Sequence, residues 1–336
     1  MSEGVLLINL GTPDEPGPGA VGTYLSEFLN DRRVIDINPV GRFFLVNAII
    51  IPFRRFKSSK LYQSIWTKEG SPLLIHSLKL KEELAAKMPN VQVELAMRYR
   101  KPSIAEALKR LQKNGVSKIT VLPLYPQYAS SSTGSSIEEV LRIVKQWEII
   151  PSLNIISSFF EHPAFIEALT VQAKKFNIND YDHVLFSYHG LPERQIRKGS
   201  DEFGNHPCQL GDCCKVITPH NRYCYRAGCF ATTRALVKAL NIPEGKYTSA
   251  FQSRLDNAWL KPYSDKVIQE LAEQGKKNVL VFSPAFVADC LETIHEIGVE
   301  YDEIFKEHGG EKVTLVPSLN ADPVWVNAVH ALVTGR

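Results

Sequence analysis

The sequence predicts an α/β protein made of two similar doubly wound parallel sheets, and three observations predict it. Short apolar runs alternate with helix-length amphipathic stretches along nearly the whole chain, the pattern of parallel strands covered on both faces. A length of 336 residues exceeds what one small core needs and makes two domains the natural expectation. Two segment pairs also repeat in the same order. VLLINLGTPDE (5–15) aligns with VLFSYHGLPER (184–194), and NGVSKITVLPLYP (114–126) aligns with QGKKNVLVFSPAF (274–286).

Each element follows from local pattern. Strands are expected at 5–10, 91–99, 119–125, 153–159, 183–189, 247–253, 279–284 and 313–319, where β-branched and aromatic residues cluster. SIAEALKRLQKNG and SDKVIQELAEQG carry helical spacing and close on glycine. The halves should meet near residue 150, giving domains at 1–150 and 151–312, with a terminal strand and helix (313–336) crossing back to the first. Ligands of such sheets bind beyond the carboxyl ends of the strands, so the halves should frame a cleft there.

Composition narrows the function. Hydrophobic content of 44% and charged content of 22% are those of an ordinary globular protein, and a net charge of +3 gives no support for nucleic-acid binding. The start, MSEGVLLINLGTP, lacks the pattern of a secretory signal, so a cytoplasmic protein with reduced thiols is expected. The longest apolar run, FFLVNAIIIPF (43–53), is too short to span a bilayer and is followed by Arg54, Arg55, Lys57 and Lys60. It reads either as a core helix or as a lip on a membrane surface, cations toward anionic headgroups.

Two places invite chemistry. His189 ends a predicted strand, and Gly190 and Pro192 force a tight loop that projects its imidazole from the sheet edge; a loop histidine satisfied by hydrogen bonds is the plain alternative. Asp289, Glu292 and Glu296, spaced i, i+3, i+7, should share one helical face near that edge, although such a stripe is more commonly a solvated surface. Carboxylates beside an imidazole suit divalent cations and proton transfer. Aromatic residues such as Trp259 in a loop suit a flat apolar ligand.

A third feature is CQLGDCCKVITPHNRYCYRAGC (208–229), which holds five of the six cysteines. Cys208-x4-Cys213 and Cys224-x4-Cys229, with Cys214 adjacent, could complete a four-sulfur shell around structural zinc or a [2Fe–2S] cluster, and spacing alone leaves both open. Such a shell is closed, so a direct catalytic role for its metal is not expected.

Over nearly its whole length the chain resembles ferrochelatases, which insert Fe²⁺ into a porphyrin at the last stage of haem synthesis. The resemblance rests on LINLGTPDEP, KEGSPL, MRYRKPSI, LYPQYASSSTGSS, SYHGLPER, FQSRLDNAWLKPY, FVADCLETIHEIGVEY and SLNADP, all in the family's order. It implies two Rossmann-like halves around a porphyrin cleft, with His189 and Glu292 catalytic and Asp289, Glu292 and Glu296 marking the iron path. Cys290 stands where some relatives have histidine. Arg98, Tyr99, Tyr125 and Trp259 match cleft positions, Arg55 and Ser71 match positions near the propionates, and Leu10 points to protoporphyrin IX over coproporphyrin. The 39–65 region matches the family's membrane-facing lip, implying peripheral attachment. The segment at about 206–229 is an insertion, and the resemblance favours a [2Fe–2S] cluster over zinc there, on Cys208, Cys213, Cys224 and Cys229 with Cys214 as a substitute. A monomer or homodimer is expected. The rivals are a chelatase for another metal or for coproporphyrin, and a non-catalytic haem or iron–sulfur sensor.

Overall fold

The structure is a computed structural model that describes residues 2–202 and 208–335; positions 206 and 207 of the expected insertion lie outside the described residues. It contains two four-stranded parallel sheets. The first is formed by β1 (Glu3–Gly11), β2 (Val91–Tyr99), β3 (Lys118–Pro123) and β4 (Ser152–Ile155), in the order β2-β1-β3-β4. The second is formed by β5 (His183–His189), β6 (Tyr247–Gln252), β7 (Asn278–Phe282) and β8 (Lys312–Leu315), in the order β6-β5-β7-β8. The two orders are the same, which is the internal repeat in three dimensions.

All eight expected strands are present. The central ones are buried on both faces, as Val5, Leu6, Leu7 and Ile8 show in β1 and Val184, Leu185 and Phe186 show in β5. Helices cover the sheets by apolar stripes. In Ile104–Lys113, the side chains of Ile104, Ala107, Leu108 and Leu111 pack on Leu6, Ile8, Ile119 and Val121. Its start is fixed by a reciprocal cap: Glu106 N donates to Ser103 Oγ (3.2 Å) and Ser103 N donates to a Glu106 carboxylate oxygen (2.9 Å). Ile268, Val279, Val281, Ile297 and Phe305 fill the corresponding place on the second sheet.

The chain divides into one compact unit of residues 1–125, 129–157 and 329–336 and another of residues 126–128 and 158–328. The terminal segment 313–336 is shared between the two units, its last residues 329–336 falling in the first. Its strand, β8, pairs with β7 (Val279↔Val313), because the alternating apolar residues there complete the second sheet's edge. Trp325 is buried against Phe159 and Phe165 within the second unit.

The 43–53 run is not a core helix. It lies in a continuous helical stretch, Pro39–Phe44, Leu45–Ile50 and Ile51–Ile65, whose middle segment has the wider π geometry. Phe43, Phe44, Ile49 and Phe53 are exposed, Phe53 to 78%. Among the described residues no helix is long and apolar enough to cross a membrane.

Candidate active site

The second unit assembles a compact set of polar groups at the carboxyl ends of β5 and β6. His189 is the last residue of β5 and pairs in register with Gln252, the last of β6. The chain then turns at Gly190, whose N–H donates to the Gln252 carbonyl at 2.7 Å. A Cβ at Gly190 would lie 2.7 Å from that oxygen and 3.2 Å from Trp259, so only glycine lets the two strand ends close here.

His189 Nδ1 lies 2.6 Å from the Gly190 carbonyl oxygen. A carbonyl only accepts, so in the neutral ring Nδ1 carries the hydrogen and Nε2 keeps its lone pair. The ring is flanked by Trp259 (6.4 Å between centroids) and Phe286 (6.2 Å), an apolar setting that leaves the lone pair as the ring's reactive point.

The acidic stretch differs from the expected α-helix. Glu292–Tyr301 is a π-helix ten residues long, far beyond the single turn usual for this geometry, and such helices occur frequently at functional sites. Its i→i+5 bonding places Glu292 and Glu296 on one side, while Asp289 precedes the helix. Asp289 is not part of an open carboxylate row. Its Oδ1 accepts from Thr293 Oγ1 and Ser318 N, each at 3.1 Å, and its Oδ2 accepts from Asn320 Nδ2 at 2.8 Å. This carboxylate ties the helix start to the loop after β8.

Glu296 accepts from four donors. Oε1 accepts from Ser253 N (2.8 Å) and from the Tyr301 hydroxyl (3.2 Å). Oε2 accepts from Ser253 Oγ (2.5 Å) and Gln252 Nε2 (3.1 Å). Gln252 Nε2 also donates to the Glu292 carbonyl at 2.9 Å, so β6 and the π-helix share one side chain. Burial raises the Glu296 carboxyl pKa and the Glu292 charge adds to this, while the Ser253 and Gln252 hydrogen bonds and the His189 charge oppose them. Glu296 is thus electrostatically linked to both His189 and Glu292.

Sequence reasoning missed Gln252, Ser253 and Tyr301. The available signal was a polar Gln-Ser pair closing an otherwise apolar strand, in the second half's copy of a sheet edge already under suspicion.

In the first unit, Leu10, Tyr99 and Tyr125 stand at or just past the carboxyl ends of β1, β2 and β3. Tyr99 lies inward at the end of β2. It is 2% exposed, and its hydroxyl donates to Asp31 Oδ2 at 2.9 Å. The same oxygen pairs with Arg98 Nη2 at 2.7 Å and accepts from Ser135 Oγ at 2.5 Å. Burial pushes the Asp31 carboxyl up, yet the donors, Ser135 foremost, hold it below its usual value. The Tyr125 hydroxyl and Arg55 Nε are buried without a hydrogen-bond partner among the described residues. Ser71 is buried and accepts from Thr12 Oγ1 at 2.8 Å.

The cysteines separate into two groups. Cys213 and Cys214 have sulfurs 3.9 Å apart, Cys208 hydrogen-bonds with Cys213, and the Cys214 thiol donates to Cys224. That last contact holds Cys224 below, and Cys214 above, the usual thiol value. Cys229 is 0% exposed, inside the helix Tyr225–Leu240 and beside Tyr225. Among the described residues, no three His, Cys, Asp or Glu side chains converge as a metal site.

A family model described as ferrochelatase matches residues 2–336. A ferrochelatase of Legionella pneumophila (strain Paris) is 46% identical over 336 residues, covering 99% of each chain. One of Coxiella burnetii (strain Dugway 5J108-111) is 46% identical over 335 residues, covering 97% of this chain and 91% of the relative. Among solved structures, SirB from Bacillus subtilis with Fe³⁺ superimposes with a TM-score of 0.56 at 11% identity, covering 100% of this chain and 97% of SirB. At that identity the likeness is one of fold.

The buried Glu296 carboxyl has a consequence for stability. Its folded pKa lies above the unfolded value of 4.5, so the folded state binds the extra proton between those two values and loses stability as pH rises through that window. Glu296→Gln removes the titration. Its melting temperature relative to the parent should rise as pH increases above 4.5, measured by scanning calorimetry. A difference that stays flat or falls would contradict the buried, proton-holding carboxyl.

Proposed function

The chain belongs to the ferrochelatase family, and we propose that His189, with Glu292 and Glu296, carries its reaction. That reaction is insertion of Fe²⁺ into protoporphyrin to form haem, with release of two protons. The observation that carries the residue assignment is the His189 hydrogen bond to the Gly190 carbonyl. It fixes the tautomer that leaves Nε2 as a base for a pyrrole N–H. Glu292, one turn before the buried Glu296, is the carboxylate to which an incoming hard or borderline cation is drawn. Burial raises the Glu296 carboxyl pKa, the direction a group that holds and passes a proton requires. We retain Asp289 on the path only as the residue that orients the helix start.

For the porphyrin, we assign Leu10, Arg55, Arg98, Tyr125 and Trp259 as contacts, with Ser71 and Tyr99 supporting them from within. The unpartnered Arg55 Nε and Tyr125 hydroxyl are donors lacking an acceptor, which a propionate or another oxygen of the substrate would supply.

Two finer assignments extend the reading. The exposed Phe43, Phe44, Ile49 and Phe53, followed by exposed Arg54, Lys57 and Lys60, support peripheral docking on an anionic bilayer. The cysteine arm offers the donor chemistry of a thiolate-ligated group, although among the described residues no three of its side chains converge as a metal site, and only the Cys213–Cys214 pair is spaced as such a group would need. Two sulfurs on one tetrahedral metal lie about 3.8 Å apart for metal–sulfur bonds of about 2.3 Å, close to the Cys213–Cys214 separation. The set it favours is Cys208, Cys213, Cys214 and Cys224, because Cys229 faces the core. Such a shell, as [2Fe–2S] or structural zinc, supplies cross-linking of the arm and no open position for substrate.

Three measurements test these assignments. His189→Ala should lower iron insertion at least about 100-fold, followed by porphyrin absorbance, while porphyrin still quenches tryptophan fluorescence as in the parent. Turnover at the parent rate would sink the catalytic assignment. For the lip, Phe43→Glu with Phe53→Glu should remove most sedimentation with phosphatidylglycerol vesicles; unchanged binding would refute it. For the arm, anaerobically purified protein should be red-brown, with colour lost in Cys224→Ser and kept in Cys229→Ser. Colourless, zinc-containing protein would select the zinc reading, and metal-free protein would reject both.

A further inference from the structure

We infer that Tyr225 is a positioning residue for His189, through which the cysteine arm acts on the reaction. This rests on the catalytic reading of His189. The juxtaposition is direct: the Tyr225 hydroxyl donates to the His189 backbone carbonyl at 2.8 Å.

That carbonyl needs an external donor. Successive backbone groups of a strand face alternate neighbours, and Gly190 N turns toward β6, so the His189 carbonyl faces the side of β7. Pairing of β5 with β7 ends at Phe186↔Phe282, three residues short of His189. Tyr225, 7% exposed, supplies the missing hydrogen bond from the next layer. The contact fixes the peptide that joins His189 to Gly190. The imidazole is oriented by the next peptide along, because His189 Nδ1 bonds to the carbonyl of Gly190, one residue beyond the carbonyl that Tyr225 holds.

Tyr225 is also the first residue of its helix, directly after Cys224. Further along, the helix is clamped to the sheet, since Tyr188 and Thr233 hydroxyls lie 2.9 Å apart and Thr232 Oγ1 donates to the Phe160 carbonyl at 2.8 Å. Movement of the arm is therefore felt at the first turn. Asn221 ties the arm together: its Nδ2 donates to the carbonyls of Cys213 (2.7 Å) and Val216 (2.9 Å), and its Oδ1 accepts from Thr218 N (2.6 Å). Its carbonyl accepts from Cys224 N at 2.8 Å, one residue before the phenol. Arg234 Nη1 reaches the Cys214 carbonyl at 3.3 Å. A continuous set of hydrogen bonds thus runs from the thiol-bearing loop to the catalytic strand end, and Tyr225 is its last member.

The test is kinetic and uses the full chain. Tyr225→Phe keeps the ring and its packing and removes only the hydroxyl. With Fe²⁺ and protoporphyrin, kcat should fall about tenfold, the size of one hydrogen bond, with KM within about twofold and the melting temperature within a few degrees. The His189 imidazole resonance, assigned by its loss in His189→Ala, should broaden in Tyr225→Phe without porphyrin or iron present. Asn221→Ala loosens the arm and should lower kcat in the parent but add nothing on top of Tyr225→Phe. Should Asn221→Ala fail to fold, Arg234→Gln takes its place in the same cycle. Tyr225→Phe at parent kcat with an unchanged imidazole resonance overturns the proposal, and additive losses overturn the arm's part in it. His189→Ala at parental activity would instead overturn the reading on which it rests.

Discussion

A carboxylate drawn half out of water needs several donors, and meeting that need for Glu296 ties together the strand-end cluster of the second unit. Without partners the ion would be expelled or neutralised. Its four donors come from Gln252, both polar groups of Ser253, and Tyr301, so one side chain joins the end of β6 to the last residue of the π-helix segment. Ser253 adopts φ = 60° to aim its N–H and hydroxyl at the same carboxylate, a conformation uncommon for a residue with a side chain. Gln252 sits opposite His189 in the ladder. The Glu296 carboxylate and the ends of β5 and β6 are therefore held by adjoining bonds, with Gln252 common to them.

The first unit solves a related problem with a different residue. Asp31 is buried among Arg98, Tyr99 and Ser135, with Arg33 N donating at 2.7 Å. Here the charge is neutralised by a guanidinium and the carboxyl titrates below its usual range, opposite in direction to Glu296. Loss of either partner would leave the other charge buried, a cost of about 3–5 kcal/mol for pairs of this kind. Asp31 thus sets where Arg98 is held, and Arg98 cannot be read as a free cation.

The strands were legible because parallel strands buried on both faces must be apolar, and runs such as VLLINL and HVLFSYH have few other readings. His189 was legible for a local reason: glycine and proline after a buried strand put it at a sheet edge. The role of Asp289 was not, because its hydrogen-bond partners, Ser318 and Asn320, lie about thirty residues away in sequence. Periodicity also could not distinguish an α-helix from a π-helix at 292–301, since both accept the same apolar spacing over two turns. Spacing likewise could not show that Cys229 is buried. C-x4-C symmetry pairs it with Cys224, but helical geometry turns it inward while the adjacent Cys214 meets Cys224. Tyr125 and Arg55 could be singled out only through the family resemblance, since an unpartnered buried donor leaves no mark on a sequence.

The matching strand orders carry an implication about ancestry. Leu10 and His189 occupy the same station in two copies of one plan, each followed by a glycine that approaches the neighbouring strand end. If the halves descend from a duplicated gene, the ancestral unit had two equivalent strand ends once paired. One copy holds an imidazole at that station and the other an inert aliphatic group. Divergence at this single pair of positions gives two like frames unlike chemistry, a basic strand end in one unit and an apolar strand end in the other.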